Sequence, residues 1–445
     1  MYKLGRQGLQ SIGAVPYYGD GMTYKTLFGG LLVWEGDGWK RESMSWKEGC
    51  YVASNLTGPP ETNLRGPGAQ ELLSRVSLNN VYKWPIGKSK HLVMCDEGGM
   101  IATHGLAVRD GVDAFRLYTL SWPAYKAEAL NLDVEFSYRS IFVLQIAGPT
   151  SLQVLERAAG QSLRDLDFLA FRKIRLGGVD AEIAMEVSRV GMTGGLAYEL
   201  RGPYELGPTV YDAVYQAGKD LGIVRLGWRT YFVNHTEGGF PQFNCSFTAS
   251  VLGDTGFMNS PFGANLFGQC TGSIDAKNMA ARFRTPHEVG WSWMAKFDHD
   301  FIGRDAVQTE LNHPKRTIVT LRWNSEDAVD IFASHFLPGE EYQMLEFPCA
   351  PQQPAGGHAD LVTKDGNAVG VASAVVYSYY YRAMLSHCTL DIEQSTIGNE
   401  VIVHWGECGK RIKQVRATVE RFPYLDLPRN QSYDLSSVPS GLSGV

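Results

Sequence analysis

The chain has 445 residues, of which 44% are hydrophobic and 20% charged, and a formal net charge of −6. This length exceeds what one hydrophobic core usually serves, so two or three domains are expected. The mixed, mildly acidic charge argues against a nucleic-acid groove, which needs a basic surface. No apolar run approaches about 18 residues, so no segment is expected to span a membrane. The start, MYKLGRQGLQSIGAV, lacks the apolar stretch of a signal peptide, and a cytoplasmic location is expected. The seven cysteines are scattered without a C-x-x-C, which favours buried thiols over disulfides or a zinc site.

Taken in chain order, residues 1 to about 50 are rich in glycine and aromatics and read as irregular structure with short strands. GPGAQELLSRVSLNNV (66–81) reads as a helix entered through Pro67. HLVMCDEGGMIATHGLAVRDGVDAFRLYTL reads as three strands of an antiparallel sheet, and SWPAYKAEALNL as a helix. FVLQIAGPTSLQVLERAAG is a strand, a G-P break and a helix with apolar positions at helical spacing. RVGMTGGLAYELRGPYE (189–205) is strand, glycine turn, strand. Its alternation sets Tyr198 and Leu200 on one face and Ala197, Glu199 and Arg201 on the other. YELGPTVYDAVYQAGKDLG is an amphipathic helix ending at Gly222. Residues 240–290, rich in Gly, Asn, Ser and Phe, read as long loops around a site. From about residue 314 the chain alternates as strands broken by D-G, G-N and G-E turns, an all-β barrel or sandwich. The fold class is therefore α+β. The last stretch is polar and rich in Pro, Gly and Ser, and reads as a surface tail.

Several chemistries lack their motifs. There is no G-x-x-x-x-G-K-[ST], no G-x-G-x-x-G between strand and helix, no H-E-x-x-H and no G-x-S-x-G. Asp298, His299 and Asp300 are consecutive. Neighbouring side chains on an extended segment diverge, so no metal is expected there, only a polar turn before a helix at GRDAVQTEL. What remains is a set of hydroxyls, amides and aromatic plates near apparent turns: Tyr17, Tyr18, Gln145 and Glu199, then Tyr231, Asn234, His235, Glu237 and Phe240 just after a predicted strand end. Such a set suits a flat heteroaromatic ligand better than a phosphate. Each member also has a plainer reading. Tyr231 can be a core tyrosine, His235 a satisfied polar histidine, and Glu199 half of a surface pair with Arg201.

Together these stretches resemble the glycine-cleavage T-protein (aminomethyltransferase) family. VGMTGGLAYEL is similar to its G-Y-T-G-E-D-G-[FY]-E hairpin, LQIAGPTSLQVLE to its strand–G-P–helix element, and KFDHDFIGRDAV to its K-x-D-F-I-G-R-[ED]-A segment. VYSYYYRAMLS (376–386) and HWGE (404–407) extend the likeness through the C-terminal part, where it is nearest to the tetrahydrofolate-dependent aryl O-demethylases of the vanillate/3-O-methylgallate type. The resemblance implies two related, interleaved α+β lobes over residues 1–310 that bind folate in a central channel. A C-terminal β-barrel follows over 311–430, with the tail at 431–445.

It also implies roles. Glu199 matches the glutamate that accepts hydrogen bonds from the pterin, whose N3–H and 2-amino group lie side by side and suit an ionised carboxylate. Gln145 matches a pterin-contacting glutamine, and Phe240 stands where the demethylases have a tryptophan by the folate. Tyr231 matches their tyrosine at the reacting centre, Tyr17 a second tyrosine, and His235 is a backup relay. A tyrosine suits a departing phenol because their ordinary pKa values, about 10, are alike. Asn55, Leu120 and Tyr18 fall at the donor. The sequence departs from the vanillate pattern at Ser54, Asn55 and Gly58, where a histidine is missing, and at Leu120, which aligns with an arginine. Arg116 lies nearby.

The implied activity is methyl transfer from an aryl methyl ether to N5 of tetrahydrofolate, with no metal, no nucleic acid and no membrane involved. One alternative is methylene transfer from a methylenedioxyphenyl lignan such as sesamin, which a neutral Leu120 pocket would suit. Another is a folate-binding protein without turnover.

Overall fold

A computed structural model describes residues 22–27, 30–54, 61–177, 185–192, 194–263, 270–349 and 357–442. Strands β1 (Thr23–Leu27) and β2 (Gly30–Glu35) form an antiparallel ribbon, followed by helix α1 (Trp39–Glu48). The chain then lays down β3 (Tyr51–Ser54) of one sheet and leaves it to build a second. That second sheet comprises β4 (Glu61–Arg65), α2 (Ala69–Val76), β5 (Ser89–Cys95), β6 (Ile101–Arg109), β7 (Ala114–Tyr118), α3 (Trp122–Leu130) and β8 (Glu135–Arg139). Its strand order is β5-β6-β7-β4-β8, antiparallel throughout.

The chain returns to the first sheet with β9 (Ile141–Ala147), α4 (Ser151–Ala159), β10 (Phe171–Ile174), β11 (Met185–Ser188), β12 (Ala197–Pro203), α5 (Gly207–Gly218) and β13 (Val224–Leu226), and then forms α6 (Trp228–Gly238). The order is β10-β11-β12-β9-β3-β13, with only β13 and β3 parallel. After α7 (Arg304–Asn312) comes the barrel: β14 (Arg316–Trp323), α8 (Ser325–Ser334), β15 (Asp360–Lys364), β16 (Asn367–Ser378), β17 (Ala383–Asp391), β18 (Glu400–Trp405) and β19 (Lys413–Glu420). It closes in the order β14-β17-β16-β15-β18-β19. The class is α+β with a six-stranded C-terminal barrel. No helix among the described residues is long and apolar enough to cross a membrane.

Burial explains the topology. One face of the first sheet packs on α4 and α5 through Val52, Leu144, Ile146, Tyr198, Leu200, Leu152, Leu155, Val210 and Val214. The other face packs on α6 and, through it, on Val376 and Leu385 of the barrel, with Ala53, Ala147, Ala197 and Tyr231 in the contact. Both faces of β12 are therefore covered, and burial of this kind is the main favourable term in folding.

Three helices lie where none was expected, the third being α8 beside the barrel. The first is α1, in the stretch read as irregular. Its buried side chains are Glu42, Ser43, Ser45, Trp46 and Lys47, so the face turned inward is mostly polar and carries no apolar stripe to detect. Glu42 accepts the N–H groups of Gly36 (2.7 Å), Asp37 (3.1 Å) and Gly227 (3.1 Å). The second is α6, which replaces the turns expected between 228 and 240. Every residue of it except Arg229 is buried, so it has no polar face to create a period. The segment after the barrel is held rather than loose. Val438 is buried in the first-sheet core, and Arg164 donates to the carbonyls of Leu435, Val438 and Pro439.

Candidate functional site

A cavity of about 1030 Å³ lies where the lobes converge. Its walls include Leu106, Tyr118 and Leu120 from the second sheet and Met192, Gly194 and Glu199 from the glycine hairpin. Phe240, Phe243 and Trp291 come from the long loops, and Ile318 from the barrel. Of the loop region 240–290, only the two ends line the cavity among the described residues, through Phe240, Gln242, Phe243, Val289 and Gly290.

Glu199 faces Gln145 of β9 on one side and Ser188 of β11 on the other. The expected alternation holds, since Tyr198 and Leu200 enter the α4/α5 core and Ala197 the opposite one. The surface pair does not: Glu199 and Arg201 are ion-paired, with only 4% and 3% of their side chains exposed. A central strand covered on both faces has no surface to offer. Arg201 holds Glu199 Oε2 and donates to Ser188 Oγ at 2.9 Å. Glu199 Oε1 accepts no hydrogen bond from a described residue, and the side chain lines the cavity. Gly194 makes the hairpin possible twice over. Its φ is +87°, and a Cβ there would strike the Arg429 guanidinium.

Behind Glu199 runs a buried polar chain. Tyr51 Oη donates to Gln145 Oε1 at 2.5 Å, Asn234 Nδ2 donates to Tyr51 Oη at 3.0 Å, and His235 Nδ1 lies 2.9 Å from Asn234 Oδ1. Gln145 Nε2 and His235 Nε2 are buried without a partner, a costly state that a ligand can relieve. Tyr51 was not a sequence candidate. It sits in a plain buried strand, and only its pairing across from Gln145's strand gives it a place.

Tyr231 is 2% exposed, and its Oη is 3.9 Å from Sδ of Met192, a cavity residue. Burial, then Tyr51 and Glu199, push its hydroxyl well above the ordinary 10, so the close match to a phenol expected from an unperturbed tyrosine does not hold. Its ring centroid is 4.3 Å from that of His235. Burial lowers His235 to about 4, so it is neutral near pH 7. Both stand one layer behind the wall that Phe240 helps to form.

Sequence reading missed two further histidines, His91 and His104, whose Nε2 and Nδ1 are 3.0 Å apart. Both line the cavity, in contact with Phe240 and Trp291. Burial holds His91 at about 4 and His104 well below its ordinary value, helped there by His91. They belong to adjacent strands and come together only through the β5–β6 register, which no local motif announces.

Leu120 lines the cavity. Arg116 is not available to a ligand: it is bound by Asp110 (2.8 and 3.0 Å) and Glu186 (2.8 and 3.2 Å), with Glu61 at 3.5 Å. Glu237 is also outside the cavity wall, paired in the interior with Lys47 at 2.5 Å. Asp298 binds Lys83 and Asn80, and His299 Nε2 lies 3.1 Å from the Ser77 carbonyl. Tyr17, Tyr18 and Asn55 lie outside the described residues.

Residues 35–251 match the family model of the GCVT N-terminal domain. A protein named sesamin methylene transferase, from Sinomonas sp. (strain No.22), is 34% identical over 430 residues, covering 92% of this chain and 94% of that one. The chain belongs to the GCV_T (aminomethyltransferase) family. Syringate O-demethylase of Sphingobium sp. (strain NBRC 103272 / SYK-6) is 27% identical, covering 88% of this chain and 87% of that protein. The crystal structure of the glycine cleavage system aminomethyltransferase T from Bartonella henselae superposes with a TM-score of 0.66 at 16% identity, over 92% of this chain and 95% of that one. That likeness confirms the fold.

The GCV_T family uses tetrahydrofolate. The donor set fits such a group. A carboxylate with one unused oxygen lines a cavity edged with aromatic rings, and a buried amide with an unused N–H stands opposite it on β9, behind that lining. The chain is therefore a one-carbon transferase of the tetrahydrofolate-dependent kind.

Proposed function

We propose that this protein moves the methylene carbon of a neutral methylenedioxyphenyl compound, a sesamin-like lignan, to tetrahydrofolate, giving a catechol and 5,10-methylenetetrahydrofolate. The observation that carries the reading is the wall at Leu120. An apolar side chain stands there, and the arginine nearest in sequence, Arg116, is already engaged by acids. A donor carboxylate at that wall would be left uncompensated and costly. The 34% likeness to the sesamin enzyme, against 27% to the syringate enzyme, supports the same choice.

Tetrahydrofolate supplies the two amines, N5 and N10, that take up the carbon. The two protons these amines lose equal the two that the catechol oxygens gain, so the protein has to carry protons, and no oxidant or reductant enters. Glu199 and Gln145 bind the pterin edge, the carboxylate accepting its paired N–H groups. Phe240 gives the ligand an apolar plate beside Trp291. Tyr231, whose burial makes it hold its proton and whose hydroxyl reaches Met192 of the cavity wall, takes the role of hydrogen-bond donor to the departing oxygen. Neutral His235 takes the role of proton relay, and family likeness gives Tyr17 that of helper. Asn55 and Tyr18 are assigned to the donor.

Replacing Tyr231→Phe is expected to lower kcat by about 100-fold or more while leaving the folate KM little changed, the usual mark of a lost transition-state donor. An unchanged kcat removes Tyr231 from the reaction. Leu120→Arg is expected to shift the ratio of kcat/KM at least about tenfold from the neutral donor toward a carboxylated aryl ether. An unmoved ratio contradicts the role given to that wall.

O-demethylation of an aryl methyl ether is the second reading. It is favoured by the syringate enzyme's likeness and by cavity cations, Lys90, Lys296 and Arg429, that have no acidic partner among the described residues.

A further inference from the structure

The charge of the cavity runs against the charge of the chain. The whole protein carries −6. Among the described residues, the cavity lining contains the fixed cations Lys83, Lys90, Lys296 and Arg429 and only two acids, Glu199 and Asp298. Both acids are already paired, Glu199 with Arg201 and Asp298 with Lys83. No described carboxylate is left for Lys90 or Lys296.

The fold holds these two lysines side by side. The N–H of Lys296 donates to the Leu78 carbonyl, and the N–H of Leu78 to the Val93 carbonyl of β5. Asn79 Nδ2 donates to the carbonyl of His91, next to Lys90. The 294–298 segment and the strand carrying Lys90 therefore flank the same short turn. Lys296 Nζ has one bond, to the Trp293 carbonyl at 2.9 Å, and the Trp293 side chain beside it is 71% exposed. Lys90 is held below its ordinary range by partial burial and then by Lys296 itself. Two uncompensated ammonium groups at one wall focus an attractive field on an anion.

We propose that Lys90 and Lys296 form a carboxylate site that holds the glutamyl end of the folate and reads how many γ-linked glutamates it carries. The assignment rests on the folate reading above. There the donor is neutral, and the folate tail is the anion of the reaction. Each added glutamate brings one more carboxylate to the lysine pair, while the pterin end at Glu199 is untouched. The lysines act on binding and not on the reacting atoms.

The test is calorimetric binding of tetrahydrofolate with one and with three glutamates to the full-length protein, at low and at moderate salt. Wild type is expected to bind the triglutamate at least tenfold tighter, with the difference shrinking as salt rises. Lys90→Gln/Lys296→Gln is expected to erase the difference while still binding the monoglutamate. Lys83→Gln, whose partner is Asp298, is expected to keep it. Equal binding of the two folates by wild type, or a preference that survives in the double variant, overturns the proposal and leaves the folate reading intact. No binding of either folate overturns both. A parallel arm compares a carboxylated aryl ether with its methyl ester. If the double variant changes the KM of the acid alone and leaves the folate preference unmoved, the site belongs to the donor, and the glutamyl assignment is wrong.

Discussion

Glu199 shows how a single residue can be legible in sequence and still be misplaced. The alternation of RVGMTGGLAYELRGP correctly separates it from Tyr198 and Leu200, but nothing in the strand tells that both faces are covered, so a surface pair with Arg201 was as natural a reading as a ligand. Burial changes the arithmetic. A charge-assisted hydrogen bond is worth roughly 1.5–3 kcal/mol, so Glu199→Gln is expected to weaken folate binding about 10- to 100-fold. The second carboxylate near Arg201, Glu186 at 3.5 Å, limits the damage to folding. Titration calorimetry on the folded variant checks this, and unchanged affinity would remove Glu199 from the site. Phe240 and Leu120, singled out by family likeness, stand on the cavity wall. Tyr51, His91 and His104 were not, because each acquires its neighbour from strand register and carries no local pattern.

At the scale of elements, two of the helices that escaped sequence reading, α1 and α6, bury polar faces. Helices α1 and α6 are joined by a buried ion pair. Glu237 accepts from Lys47, from Trp46 Nε1 at 3.1 Å and from Ser378 Oγ at 2.6 Å, which ties both helices to barrel strand β16. Such a knot leaves no apolar period in WKRESMSWKE or WRTYFVNHTEG. Removing one partner strands the other in the interior. Lys47→Met or Glu237→Gln is expected to cost about 3–5 kcal/mol, and replacing both with apolar residues to recover much of that. Denaturant unfolding of the singles and the double measures it. Singles within about 0.5 kcal/mol of wild type would mean that the pair is solvated. The barrel strands were legible because they alternate and end at D-G, G-N and G-E turns. Helix α8 was not, although Asn324 caps it by accepting from the N–H groups of Glu326 and Asp327.

The whole molecule gathers several buried histidines around its centre. His91, His235 and His387 are each lowered to about 4 by burial, against 6.5 when unfolded. Between those values the unfolded chain binds protons that the native state refuses. Their stability contribution is therefore full above about pH 6.5 and is lost as pH falls toward 4, by up to about 1.4 kcal/mol per pH unit for each histidine. Glu42 acts in the opposite sense. Burial raises it to about 7, so its contribution is full below about 4.5 and fades as pH rises through 7, offsetting one histidine. The net expectation is a thermal midpoint that falls steeply between pH 6 and 4.5, and a flat profile would show that these imidazoles are solvated.

The fate of the transferred carbon is read from the mass of the folate product. Purified protein with tetrahydrofolate is offered, separately, sesamin and a set of methoxyarenes including vanillate and syringate. The expected products are 5,10-methylenetetrahydrofolate and a catechol from sesamin, with little turnover of the carboxylated methoxyarenes. Formation of 5-methyltetrahydrofolate from a methoxyarene, with sesamin unreacted, would contradict it and make the protein an O-demethylase.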